Sequence, residues 1–246
     1  MRVPRLYLDA DLATDAVVDL DDRAHRHAVQ VLRLRAGDAV VLFNGRGGEF
    51  IARLTDVERR GARASIESFD PREPESPLHV TLAQGVAKGD HMDYSLQKAV
   101  ELGVSRIEPV VTERTVGRWE ARRAGNKLEH WRGIVVSACE QSGRTRLPEL
   151  AEPVQLRDWL ARSRDGVLPL VLDPGADRPL RGLDAPIHRR ITVLIGPEGG
   201  LSDHEIEAAS ATGFIRVRLG KRVLRTETAA TAALAAVQLL WGDLGI

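Results

Sequence analysis

Two short stretches near the carboxyl end hold residue types from which a binding site can be built. The first, GPEGGLSDHE, starts at Gly196 and follows the apolar run ITVLI. Gly199 and Gly200 let a ligand come close to the backbone and leave amide groups free to donate hydrogen bonds. Ser202 and Glu205 have the spacing of a capping box, which predicts a helix starting there. The second, LGKRVLRTETAATAALAAVQ, starts at Leu219 and sets Lys221, Arg222 and Arg225 ahead of an Ala-rich helix that begins near Thr226. The helix macrodipole disfavours each such cation by about 0.3–1 kcal/mol, so stability alone does not explain them. Their joint field with the helix start suits an anion such as a nucleic-acid phosphate. Two plainer readings stand beside these: a glycine turn needed only for its geometry, and an arginine held by Glu227 or Glu198 in an ordinary ion pair. Neither stretch is the G-x-G-x-x-G fingerprint or a Walker loop.

The elements that must position these loops follow from the hydrophobic pattern. Residues 5–69 read as five short strands (RLYL, AVVDL, DAVVLFNG, EFIARLTDVE and GARASIESF), with one helix over residues 22–32 that turns Val29 and Leu32 inward. That is the grammar of a small β-barrel. DPREPESPLH breaks the chain near residue 72 with three prolines and four charges. Beyond it strands alternate with helices, through LHVTLAQGV, DHMDYSLQKAVELG (Met92, Leu96, Ala99 and Val100 inward), VSRIEPVVT, NKLEHWRGIVVSACEQ, GVLPLVLDP, ITVLIG and FIRVRLG. This predicts an α/β fold with a mainly parallel sheet covered on both faces, in which ligands sit beyond the carboxyl ends of the strands. The expected division is residues 1–72 as a barrel and 73–246 as the α/β domain.

Composition bounds the function classes. With 35 basic and 35 acidic residues, bulk charge announces no nucleic-acid partner, so only local clusters can. From Arg23 to Arg35 there are four arginines (23, 26, 33 and 35), His25 and His27, and no acid. This is either a solvated helix face or a patch that meets RNA phosphates. From Glu113 to Arg146 eight basic residues (Arg114, Arg118, Arg122, Arg123, Lys127, Arg132, Arg144 and Arg146) face four acids (Glu113, Glu120, Glu129 and Glu140), with Trp119 and Trp131 available for core packing or base stacking. A single cysteine, Cys139, excludes an internal disulfide and a CxxC metal site; no metal is expected. The amino terminus lacks the apolar core of a signal peptide, and no apolar run approaches the roughly 20 residues of a membrane span, so a soluble, cytoplasmic protein is expected.

These motifs together carry a resemblance. LIGPEGGLSDHEI and LGKRVLRTETA, with KGDHMDYSLQKAVELGVSRIEP and ACEQSGR upstream and VPRLYL and HAVQVLRLRAGD in the barrel, resemble the RsmE family of SPOUT-class methyltransferases across nearly the whole chain. The resemblance implies a PUA-like RNA-binding barrel, a SPOUT domain with a carboxyl-terminal trefoil knot, a homodimer, and transfer of a methyl group from S-adenosylmethionine to N3 of one uridine in 16S ribosomal RNA of the small subunit. It places the donor against Leu172, Gly196, Pro197, Glu198, Gly199, Gly200, Leu219, Gly220, Val223, Leu224, Arg225 and Thr226. RNA contacts are expected from Arg5, Arg23, Arg26, His27, Arg33, Arg35, Lys88 and Arg144. Residue 91 is His where the family pattern has a base of the Arg or Lys type, which affects a peripheral contact.

Chemistry then assigns roles. Uridine N3 is protonated and lies on the pairing edge, so the base must leave its stack and lose that proton. A fixed cation would stabilise charge spreading onto the uracil oxygens, and Arg225 is expected to be that group. Glu140 and Glu198 are the candidate proton acceptors, with bulk water a third. Competing readings are a non-catalytic RNA-binding or ribosome-assembly factor, a methyltransferase for transfer RNA, and a nicotinamide oxidoreductase, the last disfavoured by the missing fingerprint.

Overall fold

The computed structural model describes residues 3–116 and 121–245, with side chains described for 3–116 and 125–245. Arg118, Trp119 and Glu120, and the side chains of Arg122 and Arg123, lie outside the described residues. The chain forms two compact units: residues 1–75 with 136–147, and residues 76–135 with 148–246. The first unit thus takes in a segment that no linear division of the sequence would assign to it.

In the first unit, strands β1 (Arg5–Tyr7), β2 (Val17–Asp19), β3 (Ala39–Phe43), β4 (Glu49–Val57) and β5 (Ala62–Asp70) form one sheet in the order β1-β3-β4-β5-β2. Only the β1–β3 pairing is parallel. Leu6, Val40, Leu42, Ala52, Leu54, Ala64 and Ile66 point to one core because alternate residues of a strand share a face. The predicted helix exists in altered form. α1 (Asp22–His25) starts at Asp21, whose carboxylate accepts from the Ala24 amide at 2.7 Å, and continues as a π-turn over Arg26–Val31. The wider i→i+5 turn, closed by Leu32 N–H to His27 C=O, changes which residues face inward. Ala24 and Ala28 are fully buried and Val29 packs beside them, whereas Leu32, expected inside, is 39% exposed.

The second unit is built on a parallel sheet. β6 (His79–Gly85), β7 (Arg106–Val111), β8 (Glu149–Leu150), β9 (Val154–Gln155), β10 (Leu168–Leu172), β11 (Arg190–Ile195) and β12 (Ile215–Val217) run in the order β12-β10-β11-β6-β7-β8, with β9 also on β7. Every pairing is parallel. Between the strands lie α2 (Gly89–Glu101), α3 (Ala121–Ser142), α4 (Leu156–Leu160) and α5 (Asp203–Ala211), and α6 (Thr226–Trp241) follows β12. The last turns of α3 belong to the first unit. Ala83, Val110, Val171 and Leu194 meet Trp159 of α4, Ala209 of α5 and Phe214 in one core cluster. Met92, Leu96, Ala99 and Val100 of α2 are buried as their helical spacing predicts, and α2 packs on α6. The short β8, β9 and α4 have no counterpart in the sequence reading, being too brief for periodicity to register. Among the described residues no helix is long and apolar enough to cross a membrane.

Ser202 caps α5 as predicted: its side chain accepts from the Glu205 amide while the Glu205 carboxylate accepts from the Ser202 amide. The carboxyl-terminal helix is pinned by Gln238, which is 1% exposed, donates to Leu102 C=O at 3.0 Å and accepts from Ser76 Oγ at 2.7 Å.

Cys139 is fully buried in the first unit, and burial pushes its thiol up to about 12. Because the thiolate is the reactive form, the native protein is expected to leave a thiol reagent unconsumed at pH 7 and to consume one equivalent after denaturation. Rapid labelling of the folded protein would show that the thiol is not buried.

Candidate functional site

Three loops leave the carboxyl ends of neighbouring strands β12, β10 and β11 and close on one cleft of about 370 Å³. This is where an open parallel sheet gathers its loops. The loop after β11 is turned back on itself: Gly200 N–H donates to Pro197 C=O at 2.8 Å, and Gly200 takes φ +69°. A Cβ on Gly196 would stand 2.7 Å from both Gly200 C and Leu201 N, and one on Gly85 at the end of β6 would collide with Pro197 N. The loop therefore passes too close to its own backbone and to β6 for any side chain larger than hydrogen at these positions.

Its other contacts fix it from three sides. Glu198 Oε1 accepts from Lys88 N–H at 2.7 Å, at the start of α2, where a carboxylate is favoured by the helix dipole. Arg114 Nη1 donates to Gly199 C=O at 2.9 Å and to Leu201 C=O at 3.3 Å. Thr226, the first residue of α6, donates from Oγ1 to Gly196 C=O at 2.6 Å and accepts from Gln84 Nε2 at 2.9 Å. The loop after β10 is set by Asp173, buried, which accepts from Gly175 N–H at 2.8 Å and pairs with Arg216 at 2.8 and 2.6 Å.

Of the residues expected to hold a donor, Leu172, Gly196, Pro197, Glu198, Gly199, Gly200, Leu219, Gly220, Val223, Leu224 and Thr226 all line this cleft. Arg225 does not. It is the N-cap residue of α6 with extended backbone, its side chain is exposed, and among the described residues no carboxylate pairs with it. The plainer reading of an ion pair with Glu227 or Glu198 is thereby removed: Glu227 pairs with His91 at 3.2 Å, and Glu198 accepts from Lys88 N–H. His91 thus faces the carboxylate in the first turn of α6. Sequence reasoning missed Asp173, Pro174, Gly175 and Arg114 on the lining. The D-P-G turn after β10 was a signal available for the first three; Arg114 joins only because of the strand order.

Several residues expected in polar roles have partners inside the first unit. Glu140 lies in the first unit, 8% exposed, with Arg23 at 2.8 Å and the Tyr7 amide at 2.9 Å on its carboxylate, and it does not line the cleft. Arg5 is buried against Glu49 and over the Phe43 ring, and donates to Arg144 C=O at 2.7 Å. Arg144 is buried against Glu75. Both guanidinium groups take part in internal ion pairs, and Arg23 shares itself between Glu140 and Tyr7 C=O. Arg26, Arg33, Arg35 and Lys88 are exposed and His27 half-exposed, as an RNA contact requires. Trp131, a candidate for stacking on bases, is 4% exposed.

The RNA methyltransferase domain family matches residues 74–238, and the RNA methyltransferase PUA domain family matches residues 20–67. Ribosomal RNA small subunit methyltransferase E of Buchnera aphidicola (subspecies Schizaphis graminum) is 34% identical over 243 residues, which is 99% of this chain and 98% of that one. Among solved structures, the ribosomal RNA small subunit methyltransferase E of Neisseria gonorrhoeae bound to S-adenosyl methionine superposes with a TM-score of 0.92 at 42% identity, covering 99% of this chain and all of its own. A methyltransferase of Legionella pneumophila in complex with the same cofactor reaches 0.95 at 38% identity, again over 99% of this chain and all of its own.

The crowding at Gly196 gives a direct test. Gly196→Ala is expected to abolish ligand binding at the cleft and to lower the melting temperature by several degrees, because the added methyl forces the loop open. Gly61→Ala, where nothing lies within 4 Å of the added atom, is the control expected to leave both unchanged. Equal behaviour of the two variants in calorimetry and thermal unfolding would show that the loop is not closed as described.

Proposed function

The chain belongs to the ribosomal RNA small subunit methyltransferase E family, and on that premise we propose that it methylates N3 of one uridine in 16S ribosomal RNA with S-adenosylmethionine as donor. The observation that carries the site assignment is the convergence of three strand-end loops on one cleft. Its volume falls in the range of small-ligand sites. Its lining fits an adenosyl group: apolar Leu172, Ile195, Leu201, Leu219 and Val223 for the flat base, and the glycine backbone of residues 196–200 and 220 for its polar edges. When bound, S-adenosylmethionine supplies a methyl group already activated by its sulfonium, so the chain's own task is alignment and charge stabilisation.

The residues divide that task. Exposed Arg26, Arg33, Arg35, His27 and Lys88 hold RNA phosphates and offset the few kcal/mol that unstacking a base costs. Arg225, exposed beside the cleft and with no carboxylate partner among the described residues, stabilises negative charge on the uracil oxygens. Glu198 is the carboxylate placed to take the N3 proton. It is exposed on the cleft, and among the described residues only its Oε1 is engaged, by Lys88 N–H. This is the reason to prefer it over Glu140. A second copy of the chain completes the assembly; exposed Tyr94 on α2 and Leu239 and Leu240 on α6 support that reading. The substrate places the enzyme in the cytoplasm.

Two measurements test the proposal. Nucleoside mapping of ribosomal RNA from a strain lacking the gene should show one uridine without its N3-methyl group, restored by the wild-type chain; an unchanged methylation map contradicts the proposal. Arg225→Ala should retain fold and donor affinity while turnover falls about 100- to 1000-fold, the size of losing one preorganised charge donor. Near-normal turnover would remove Arg225 from the mechanism.

A further inference from the structure

Gln84 is a buried polar side chain that the mechanism above does not use. It stands at the end of β6, fully buried, and does not line the cleft. Its Nε2 donates to Gly85 C=O at 3.0 Å and to Thr226 Oγ1 at 2.9 Å. The Thr226 hydroxyl has one proton and gives it to Gly196 C=O at 2.6 Å. The direction of the chain of bonds is therefore determined. Were the amide reversed, Thr226 would have to turn its proton to Gln84 Oε1, and the carbonyls of Gly85 and Gly196 would both lose these donors. The observed orientation makes three bonds and leaves Gln84 Oε1 buried with no hydrogen-bond partner among the described residues. A cost of that kind, typically about 1–3 kcal/mol, is retained where it fixes something else.

What it fixes is the meeting of three elements. β6, the first carbonyl of the loop after β11, and the first residue of α6 are tied through two side chains. Arg225 immediately precedes Thr226 as the N-cap of α6, and its own side chain makes no capping bond. The position of its backbone is thus set from its carboxyl side by the Thr226 latch.

We infer that Gln84 is a positioning residue: acting through Thr226, it holds Arg225 and the Gly196 carbonyl in register, so that the cation and the donor loop are presented together. This rests on the reading of the cleft as the donor site and of Arg225 as the stabilising cation. Gln84→Met keeps length and burial while removing the amide, and Thr226→Val keeps shape while removing the hydroxyl. Both are expected to raise deuterium uptake across residues 196–201 in the protein without donor. Both should lower turnover about 10- to 100-fold at saturating RNA with KM for RNA within threefold, whereas Thr226→Ser, which keeps the hydroxyl, should restore turnover to within threefold of wild type. Combined with Arg225→Ala, Gln84→Met should add little further loss, because residues acting as one unit are not additive.

Wild-type uptake and turnover in the Met and Val variants, failure of Ser to restore, or full additivity with Arg225→Ala would each overturn the inference. If the Met variant does not fold, the Val and Ser pair carries the same decision. Failure of the wild-type chain to bind the donor in calorimetry would instead sink the reading of the cleft, and so is separable from failure of the latch.

Discussion

One hydroxyl proton decides how the ends of the central strands are joined. Thr226 cannot donate twice, so its bond to the Gly196 carbonyl obliges Gln84 to be the donor on its other side. The glycines obey the same constraint by other means. Gly85 and Gly196 lack side chains because β6 and the loop after β11 occupy the space a Cβ would need. The cleft exists because backbone is brought closer to backbone than ordinary packing allows, and the polar groups exposed by that approach are bonded to named partners. The fold supplies the rest: a parallel sheet whose order puts the loops after β12, β10 and β11 side by side.

Charge is divided between the units in a way that composition hides. In the first unit Arg5, Arg23 and Arg144 are matched by Glu49, Glu140 and Glu75. Arg5–Glu49 ties β1 to β4, Arg23–Glu140 ties α1 to α3, and Arg144–Glu75 ties the segment after α3 to the segment after β5; breaking one by removing a single partner leaves a buried charge that is costly, by about 3–5 kcal/mol. In the second unit Glu227 pairs with His91, Asp173 with Arg216 and Glu205 with the Glu113 amide, while among the described residues Glu198 on the cleft is engaged only at Oε1. Among the described residues Arg225 pairs with no carboxylate. A neutral protein thereby keeps an exposed cation beside the cleft.

Local rules read well from the sequence and distant partners did not. The capping box at Ser202 and Glu205, the inner face of α2 and the strands flanking the cleft are set by residues within a few positions of one another, so spacing was enough. The glycine and Arg-rich loops announced the cleft because their residue types conflict with plain stability. The fate of Arg5, Arg144 and Glu140 depended on partners 44, 69 and 117 residues away. Nothing in a run of arginines tells a phosphate ligand from half of a buried pair. The π-turn over Arg26–Val31 was hidden for another reason: it differs from an α-helix by one residue per turn, and that single residue sent Leu32 outward. Segment 136–147 joined the first unit through contacts that no linear boundary expresses.

The central claim is that backbone held by Gln84, Thr226 and the two crowded glycines forms a ready-made seat for the methyl donor. A crystal structure of this chain with S-adenosylmethionine tests it most directly. The account predicts the adenosyl group between the loops after β10, β11 and β12, with the Thr226–Gly196 and Gln84–Thr226 bonds intact. A donor bound elsewhere, or bound there only after those bonds have broken, would contradict it.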